Sequence, residues 1–376
     1  MNFFRWTSLL LTLFVSAGAY AEPIQTPIFV SGEDGYDTYR IPAVTVSKQE
    51  TILAFCEGRM AGRSDTGNID ILVKRSTDNG ATWSKQKIIW DDADNTCGNP
   101  APVVDQKTGT IFLLMTWNRG DDHERDIIDL KSKDTRRVFV TQSNDDGLSW
   151  STPKEITSNT KKLTWTWYAT GPGAGIQLKK GKHKGRLVIP CDHIEAKTKL
   201  YYSHVIYSDD HGATWKLGGT TPEHQVNECE VVELNTGELM LNMRNYDRKK
   251  HQRQVAISRD GGDTWTDQHH DTALIEPICQ ASIRRVGKMR GKHKQDLLFS
   301  NPANEKKRLN MTIRLSRDNG KNWPHALVLH EGPSAYSDLV VLDNGLVGCL
   351  YERGDKHAYE TITFATTSFE DIVATD

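Results

Sequence analysis

One eight-residue pattern, Ser-x-Asp-x-Gly-x-x-Trp, occurs five times along the chain, at Ser76–Trp83, Ser143–Trp150, Ser208–Trp215, Ser258–Trp265 and Ser316–Trp323. Four fixed residue types at fixed offsets do not recur five times by chance. A chain that repeats a motif on this scale is assembled from similar supersecondary units, as in a propeller or a solenoid. Five of the ten tryptophans are committed to the pattern. Within each copy the Asp suits acceptance of backbone N–H groups in a turn, the Gly an unusual φ, and the Trp packing between strands. One carboxylate per turn offers too few oxygens for Ca²⁺.

The flanks repeat as well, and they count six. A β-patterned run precedes every motif, at 69–75, 137–142, 200–207, 253–257 and 311–315, and a sixth, 361–366, has no motif after it. Upstream of each run the chain reads as a hairpin. The first strands begin near Ala43, Pro102, Ala174, Glu230, Ala281 and Asp338, at spacings of 59, 72, 56, 51 and 57 residues. Turns such as Lys107-Thr108-Gly109, Asn235-Thr236-Gly237 and Asp343-Asn344-Gly345 suit the positive φ of tight hairpins. Each unit is therefore strand, hairpin turn, strand, loop, strand, Asp-box turn, strand. This predicts an all-β fold: a six-bladed β-propeller with four-stranded antiparallel blades. The last unit lacks a clear fourth strand, which the apolar run Thr26–Val30 would supply, closing the ring.

Length alone, 376 residues, allows two or three domains, but six similar units make residues 22–376 one domain. Residues 1–21 read as a secretory signal peptide, with Arg5, the apolar stretch Leu9–Val15 and the small-residue site Ala19-Tyr20-Ala21. An exported protein, periplasmic or secreted, is expected. The apolar stretch is too short for stable membrane insertion. The balance of 47 Lys+Arg against 49 Asp+Glu leaves no electrostatic footprint for nucleic acid. The six cysteines are widely scattered and fit buried thiols better than a disulfide framework. No C-x-x-C, H-E-x-x-H or G-x-S-x-G is present, and Gly171–Gly175 lacks the third glycine of a dinucleotide loop.

Strand parity sorts the polar residues between the two faces of such a ring. Connections that enter a first strand or leave a second strand share one face; hairpin and Asp-box turns share the other. Arg40, Arg59, Asp65, Glu228, Arg244, Arg308, Tyr336 and Glu352 all fall on the first face, where a central funnel opens. Trp165, Trp167 and Tyr168 enter unit three on that face too, where lining a pocket and packing in the core are equal readings. The charged insertion Asp121–Arg136 is expected on the same face, with no assignable role. The basic runs Lys179–Arg186 and Arg285–Lys294 fall on hairpin turns of the far face and read as solvated turns, and Arg248–Arg253 as a solvated rim. His269-His270 belongs to the far face, while His193 and His204 show no metal-ligand spacing.

Tyr39-Arg40-Ile41-Pro42, the five Asp boxes and the widely separated arginines resemble the bacterial exo-α-sialidases over essentially the whole chain after residue 21. The resemblance implies an arginine triad, Arg40, Arg244 and Arg308, whose planar forks suit the carboxylate of sialic acid. It implies Asp65 as acid/base, Tyr336 as nucleophile and Glu228 as the carboxylate that takes the phenolic proton. Glu230, two positions on, is the competitor for that last role. Glu352 resembles the residue that holds the first arginine, and Arg59 an accessory substrate-binding arginine. A neutral phenol is a reasonable nucleophile here, because a carboxylate would be repelled by the substrate's own charge. The implied substrates are sialylated glycans, glycoproteins or glycolipids, cleaved with retention and without a cofactor. A trans-sialidase, hydrolytic or intramolecular, or a non-catalytic sialoglycan-binding propeller are the alternatives on the same fold.

Overall fold

A computed structural model describes residues 22–287 and 294–374. The expected signal peptide lies outside the described residues. The regular structure of the chain is almost entirely strand. Strand β1 (Ile24–Val30) precedes six antiparallel units. Unit one holds β2 (Thr38–Val46), β3 (Ile52–Arg59), β4 (Ile69–Ser76) and β5 (Lys87–Trp90). Unit two holds β6 (Thr96–Val104), β7 (Ile111–Asn118), then α1 (Glu124–Ile128), β8 (Arg137–Ser143) and β9 (Lys154–Glu155). After α2 (Thr157–Thr160), unit three holds β10 (Trp165–Thr170), β11 (Ile176–Gln177), β12 (Leu187–Glu195), β13 (Tyr201–Ser208) and β14 (Lys216–Thr220). Unit four is β15 (Val226–Glu233), β16 (Leu239–Asn245), β17 (Gln252–Ser258) and β18 (Thr266–Ile275). Units five and six share a long strand: β19 (Ser282–Arg285), β20 (Leu297–Pro302) and β21 (Leu309–Ser316) lead into β22 (His325–Val341), followed by β23 (Leu346–Arg353), β24 (Thr361–Ser368) and α3 (Phe369–Ala374).

These strands form four sheets, antiparallel except for one parallel pairing of β4 with β6 at Ile69↔Thr96, and none closes on itself. The first half of β22 pairs with β21 and its second half with β23, so one strand serves two units. Strand β1 pairs antiparallel with β24, from Ile24↔Thr366 to Val30↔Thr361, and supplies the sixth unit's missing strand. Unit three departs from expectation. Its first strand does not start at Ala174 but is split around Gly171–Gly175. A side chain at Gly173 would meet the Glu230 carboxylate at 2.0 Å, so the backbone there passes too close to its neighbour for a regular strand.

The apolar cores lie between units. Val44, Ile52 and Leu72 of unit one pack with Leu350 and Phe364 of unit six and with Phe29 of β1. Similar clusters join units one and two around Phe55 and Leu113, two and three around Leu114 and Ile189, and three and four around Val188 and Leu241. Two more join units four and five, and five and six. All six cysteines are buried free thiols.

Each Asp box is built alike. The box Ser donates to the box Asp at 2.8 Å, and the box Gly N–H donates to that Ser at 2.8–2.9 Å. The Asp then accepts the backbone N–H four residues on. The tryptophans do more than pack between strands of their own unit. Trp83 meets Phe364 with ring centroids 5.3 Å apart, Trp150 meets Phe55 at 5.7 Å, and Trp215 meets Phe112 at 6.0 Å. Each of these partners belongs to the preceding unit, so the box fastens one unit to the last.

Candidate active site

The first strand of five units carries a register shift at the same end. The shifts fall between Arg40 and Ala43, Gly98 and Ala101, Trp165 and Tyr168, Val226 and Cys229, and Ser334 and Ser337. A bulge breaks the alternation of side chains and re-aims one residue. Here it turns Asn99, Trp167, Glu228 and Tyr336 into one pocket of about 360 Å³, the size of a single small ligand. Ile41, a β-branched residue, is held at φ 59° by its bulge, a conformation that persists only where surrounding bonds fix it.

Seven of the eight residues expected at the site line this pocket, and Glu352 lies directly behind it. The Tyr336 hydroxyl donates to Glu228 Oε1 at 2.6 Å. Arg244 Nη1 donates both to Glu228 Oε2 at 2.5 Å and to the Tyr336 oxygen at 3.0 Å. The Arg40 and Arg308 guanidinium carbons lie 5.3 and 5.6 Å from the centre of the Tyr336 ring, so three arginines surround one phenol. Glu352 is fully buried and accepts Arg40 Nε at 2.6 Å, the Ile41 N–H at 3.0 Å and the Tyr336 N–H at 3.0 Å. One carboxylate therefore holds the first arginine, its strained neighbour and the tyrosine backbone. Burial and the Glu228 charge push the Tyr336 phenol well above its ordinary pKa, against Arg244 and Arg308, so it is neutral at pH 7.

Asp65 stands at the mouth, its side chain 63 % exposed, 2.8 Å from Arg59 Nη1. Arg59 is buried and also grips Glu57 Oε2 at 2.6 Å. Burial raises the Asp65 pKa, but Arg59 and Arg40 outweigh it and hold the carboxyl below its usual range. Asp65 is an anion in the free protein.

Glu230, the competitor of Glu228, is buried away from the pocket and accepts the Ile283 N–H at 2.9 Å.

This geometry meets three comparisons with known proteins. The family described as a BNR repeat-like domain matches residues 50–349. The sialidase of Micromonospora viridifaciens is 35 % identical over 369 residues, covering 93 % of this chain and 56 % of that protein. Sialidase-3 of Homo sapiens is 30 % identical over 410 residues, covering 93 % of each. The chain belongs to the sialidase family. It nevertheless spans little more than half the length of the Micromonospora sialidase. Among solved structures, Hadza microbial sialidase Hz136 superposes with a TM-score of 0.83 at 32 % identity, covering 93 % of this chain and 69 % of that one. The intramolecular trans-sialidase from Ruminococcus gnavus shares the fold, with a TM-score of 0.75 at 18 % identity over 92 % and 97 % of the two chains.

The rest of the pocket was not foreseen residue by residue. Glu124 and Arg136, at either end of α1 and its loop, line it together with Asp192 and Tyr246. The Arg136 guanidinium stacks on Trp167, 4.0 Å from the ring centre. The insertion Asp121–Arg136 thus contributes two charged groups, which strand parity could not place because a loop has no period. Trp165 and Tyr168 do not join Trp167. Trp165 stacks on His193 with centroids 3.4 Å apart and Tyr168 is wholly buried, because the bulge aims only the residue within it at the pocket. His193 and His204 meet through their Nδ1 atoms at 3.0 Å in that core, and burial keeps both neutral. Two basic runs are also less solvated than expected. Arg253 is completely buried against Glu276 at 2.6 Å, and Arg186 is buried between Asp209 and Asp263. Most of the run Arg285–Lys294 lies outside the described residues.

Proposed function

We propose that this sialidase is an exo-α-sialidase that releases terminal α-linked sialic acid from sialylated glycans with retention, through a Tyr336-linked intermediate. The observation that carries the reading is the hydrogen-bonded set Tyr336–Glu228–Arg244 enclosed by Arg40 and Arg308. The substrate carboxylate enters between the three guanidiniums, which need an anion to relieve their mutual repulsion. The Tyr336 oxygen attacks the anomeric carbon as its proton passes to Glu228 Oε1, and Arg244 steadies the developing charge. Asp65 protonates the departing glycosidic oxygen, then removes a proton from the water that breaks the tyrosyl bond.

The charge state of Asp65 adds one requirement. As an anion in the free protein it must acquire a proton before it can act as an acid. Binding supplies the cause: the substrate's carboxylate cancels part of the arginine field that keeps Asp65 ionised, and the sugar excludes water. The six units are read as the blades of a closed propeller. Apolar clusters between consecutive units, sixth and first included, and the β1–β24 pairing support that reading. Export to the periplasm or medium remains part of the proposal.

The test uses an aryl α-sialoside. Tyr336→Phe and Glu228→Gln should lower kcat by at least about 10³-fold and 10²-fold, with the fold intact. A 2,3-difluorinated sialic acid, which slows breakdown of the intermediate, should add its mass to the peptide containing Tyr336. The first product seen by NMR should be the α anomer; the β anomer, or a fully active Tyr336→Phe, rejects the mechanism. Transfer of the sialyl group to a sugar hydroxyl would employ the same residues. Product analysis with sialyllactose separates it from hydrolysis.

A further inference from the structure

Lys161 is buried behind the pocket wall and takes no part in the chemistry proposed above. It follows α2 and is 8 % exposed. Its Nζ donates to Thr135 Oγ1, to the Arg136 carbonyl and to the Thr166 carbonyl, each at 2.6 Å. An ammonium has three N–H groups and no acceptor, so three neutral oxygens satisfy it fully. A neutral amine would keep both carbonyl bonds through its two N–H groups and accept the Thr135 hydroxyl, but without the charge that strengthens those bonds. The contacts hold either form, and hold the charged form more tightly.

The two carbonyls are informative. One belongs to Arg136 and the other to the residue before Trp167, and Arg136 and Trp167 are the stacked pair that lines the pocket. The Arg136 guanidinium itself reaches only neutral groups, Asn118 Oδ1 at 2.6 Å and Asn99 Oδ1, and its Nε is buried without a partner. Two cations are thus buried side by side with no carboxylate in ion-pair range among the described residues. Stability alone favours replacing such a group by an apolar one.

We propose that Lys161 is a positioning residue: its ammonium ties the main chain of Arg136 to that of Thr166 and so sets the Arg136–Trp167 wall against which the sugar ring's substituents bind. The inference rests on the pocket being the sialoside site. It also carries a pH dependence. Burial, then the Arg136 charge, bring the Lys161 pKa down to about 7, with Asp134 opposing. The groups facing it are Arg136 and Asp134 of the insertion, Lys162 beside it, and His193 of β12, which stays neutral. Above that pH the amine keeps its two carbonyl bonds without their charge, so the wall loosens as pH rises.

The experiment compares full-length wild type, Lys161→Met and Lys161→Arg on an aryl α-sialoside across neutral pH, with amide exchange measured on the same proteins. Wild-type KM should rise as pH passes through about 7. Lys161→Met should show KM raised roughly tenfold at every pH with kcat within about threefold. Lys161→Arg, which cannot lose its charge, should keep a low KM on the alkaline side. In Lys161→Met the amides of 133–137 and 165–168 should exchange faster while those of units four to six do not. Unchanged KM and unchanged local exchange overturn the proposal, and so does faster exchange throughout the molecule, which marks a merely structural role. If wild type leaves the sialoside intact, the functional reading fails, and the exchange data alone still decide whether Lys161 holds the wall.

Discussion

Tyr336 and Asp65 hold opposite protonation states, and the surroundings of each push it further in the direction of its intrinsic acidity. Around Tyr336 the cations compete with burial and with Glu228, and the phenol stays protonated. Around Asp65, whose side chain is mostly open to water, Arg59 and Arg40 prevail and the carboxyl stays ionised. The free protein therefore holds its nucleophile's proton and lacks its acid's. Because kcat/KM reports the free protein, it should decline as pH rises above the depressed Asp65 pKa. Arg59→Met removes the nearest cation and should move that decline to higher pH while lowering the maximal rate. A pH–rate profile whose decline stays in place would show that Arg59 does not set the Asp65 charge. Sequence parity gathered Asp65 and Arg59 on one face but could not give this charge state, which depends on a 2.8 Å contact.

At the level of elements, two devices recur: the bulge that aims a side chain and the Asp box that fastens a unit. The boxes were legible because their chemistry is local. A turn of eight residues contains every partner it needs, from the Ser–Asp bond to the Gly N–H. The bulges were not legible, because an extra residue in one strand shows only against the register of its partner. That is why Trp165, Trp167 and Tyr168 were left with both readings. The far ends of the boxes were hidden for the same reason. Trp215 is 2 % exposed and packs on Phe112 of the preceding unit. Trp215→Ala should destabilise the protein by about 3–5 kcal/mol, by emptying an interface between units. Urea unfolding measures the loss, and KM at low temperature should not change. A loss below about 1 kcal/mol would mean that the boxes are turn formers only.

Over the whole molecule, the centre is held by polar groups contributed by four units. Ser282 Oγ lies 2.8 Å from Glu230 Oε2 and 3.1 Å from Asp338 Oδ1; Arg284 reaches Asp338 at 3.0 Å, and Asp338 Oδ2 accepts the Val44 N–H at 2.7 Å. Burial, then the Asp338 charge, push the Glu230 pKa well up, so Glu230 holds its proton beside Asp338. The sign for stability follows. A carboxyl raised in the fold contributes fully below its unfolded pKa, and that contribution is lost as pH rises through the raised value. Glu230→Gln mimics the protonated form and should be close to neutral under mildly acid conditions. Its melting temperature should exceed the wild type's by a growing margin, a few degrees, as pH rises toward 8. A margin that shrinks with pH would contradict a protonated Glu230.

The amino-acid sequence by itself determined the number of units, the order of strands within them and the face on which Arg40, Asp65, Glu228, Arg244, Arg308 and Tyr336 emerge. Each of these follows from short-range rules: strand parity, turn chemistry and a motif that is complete in eight residues. Only the tertiary structure decided how Glu228, which the resemblance already put ahead of Glu230, meets the tyrosine, that Trp167 alone of its run turns inward, that Arg136 joins it in the pocket wall, and that Lys161 stands behind that wall. Those outcomes depend on register shifts and on contacts between residues as far apart as Glu228 and Tyr336, which no local pattern encodes.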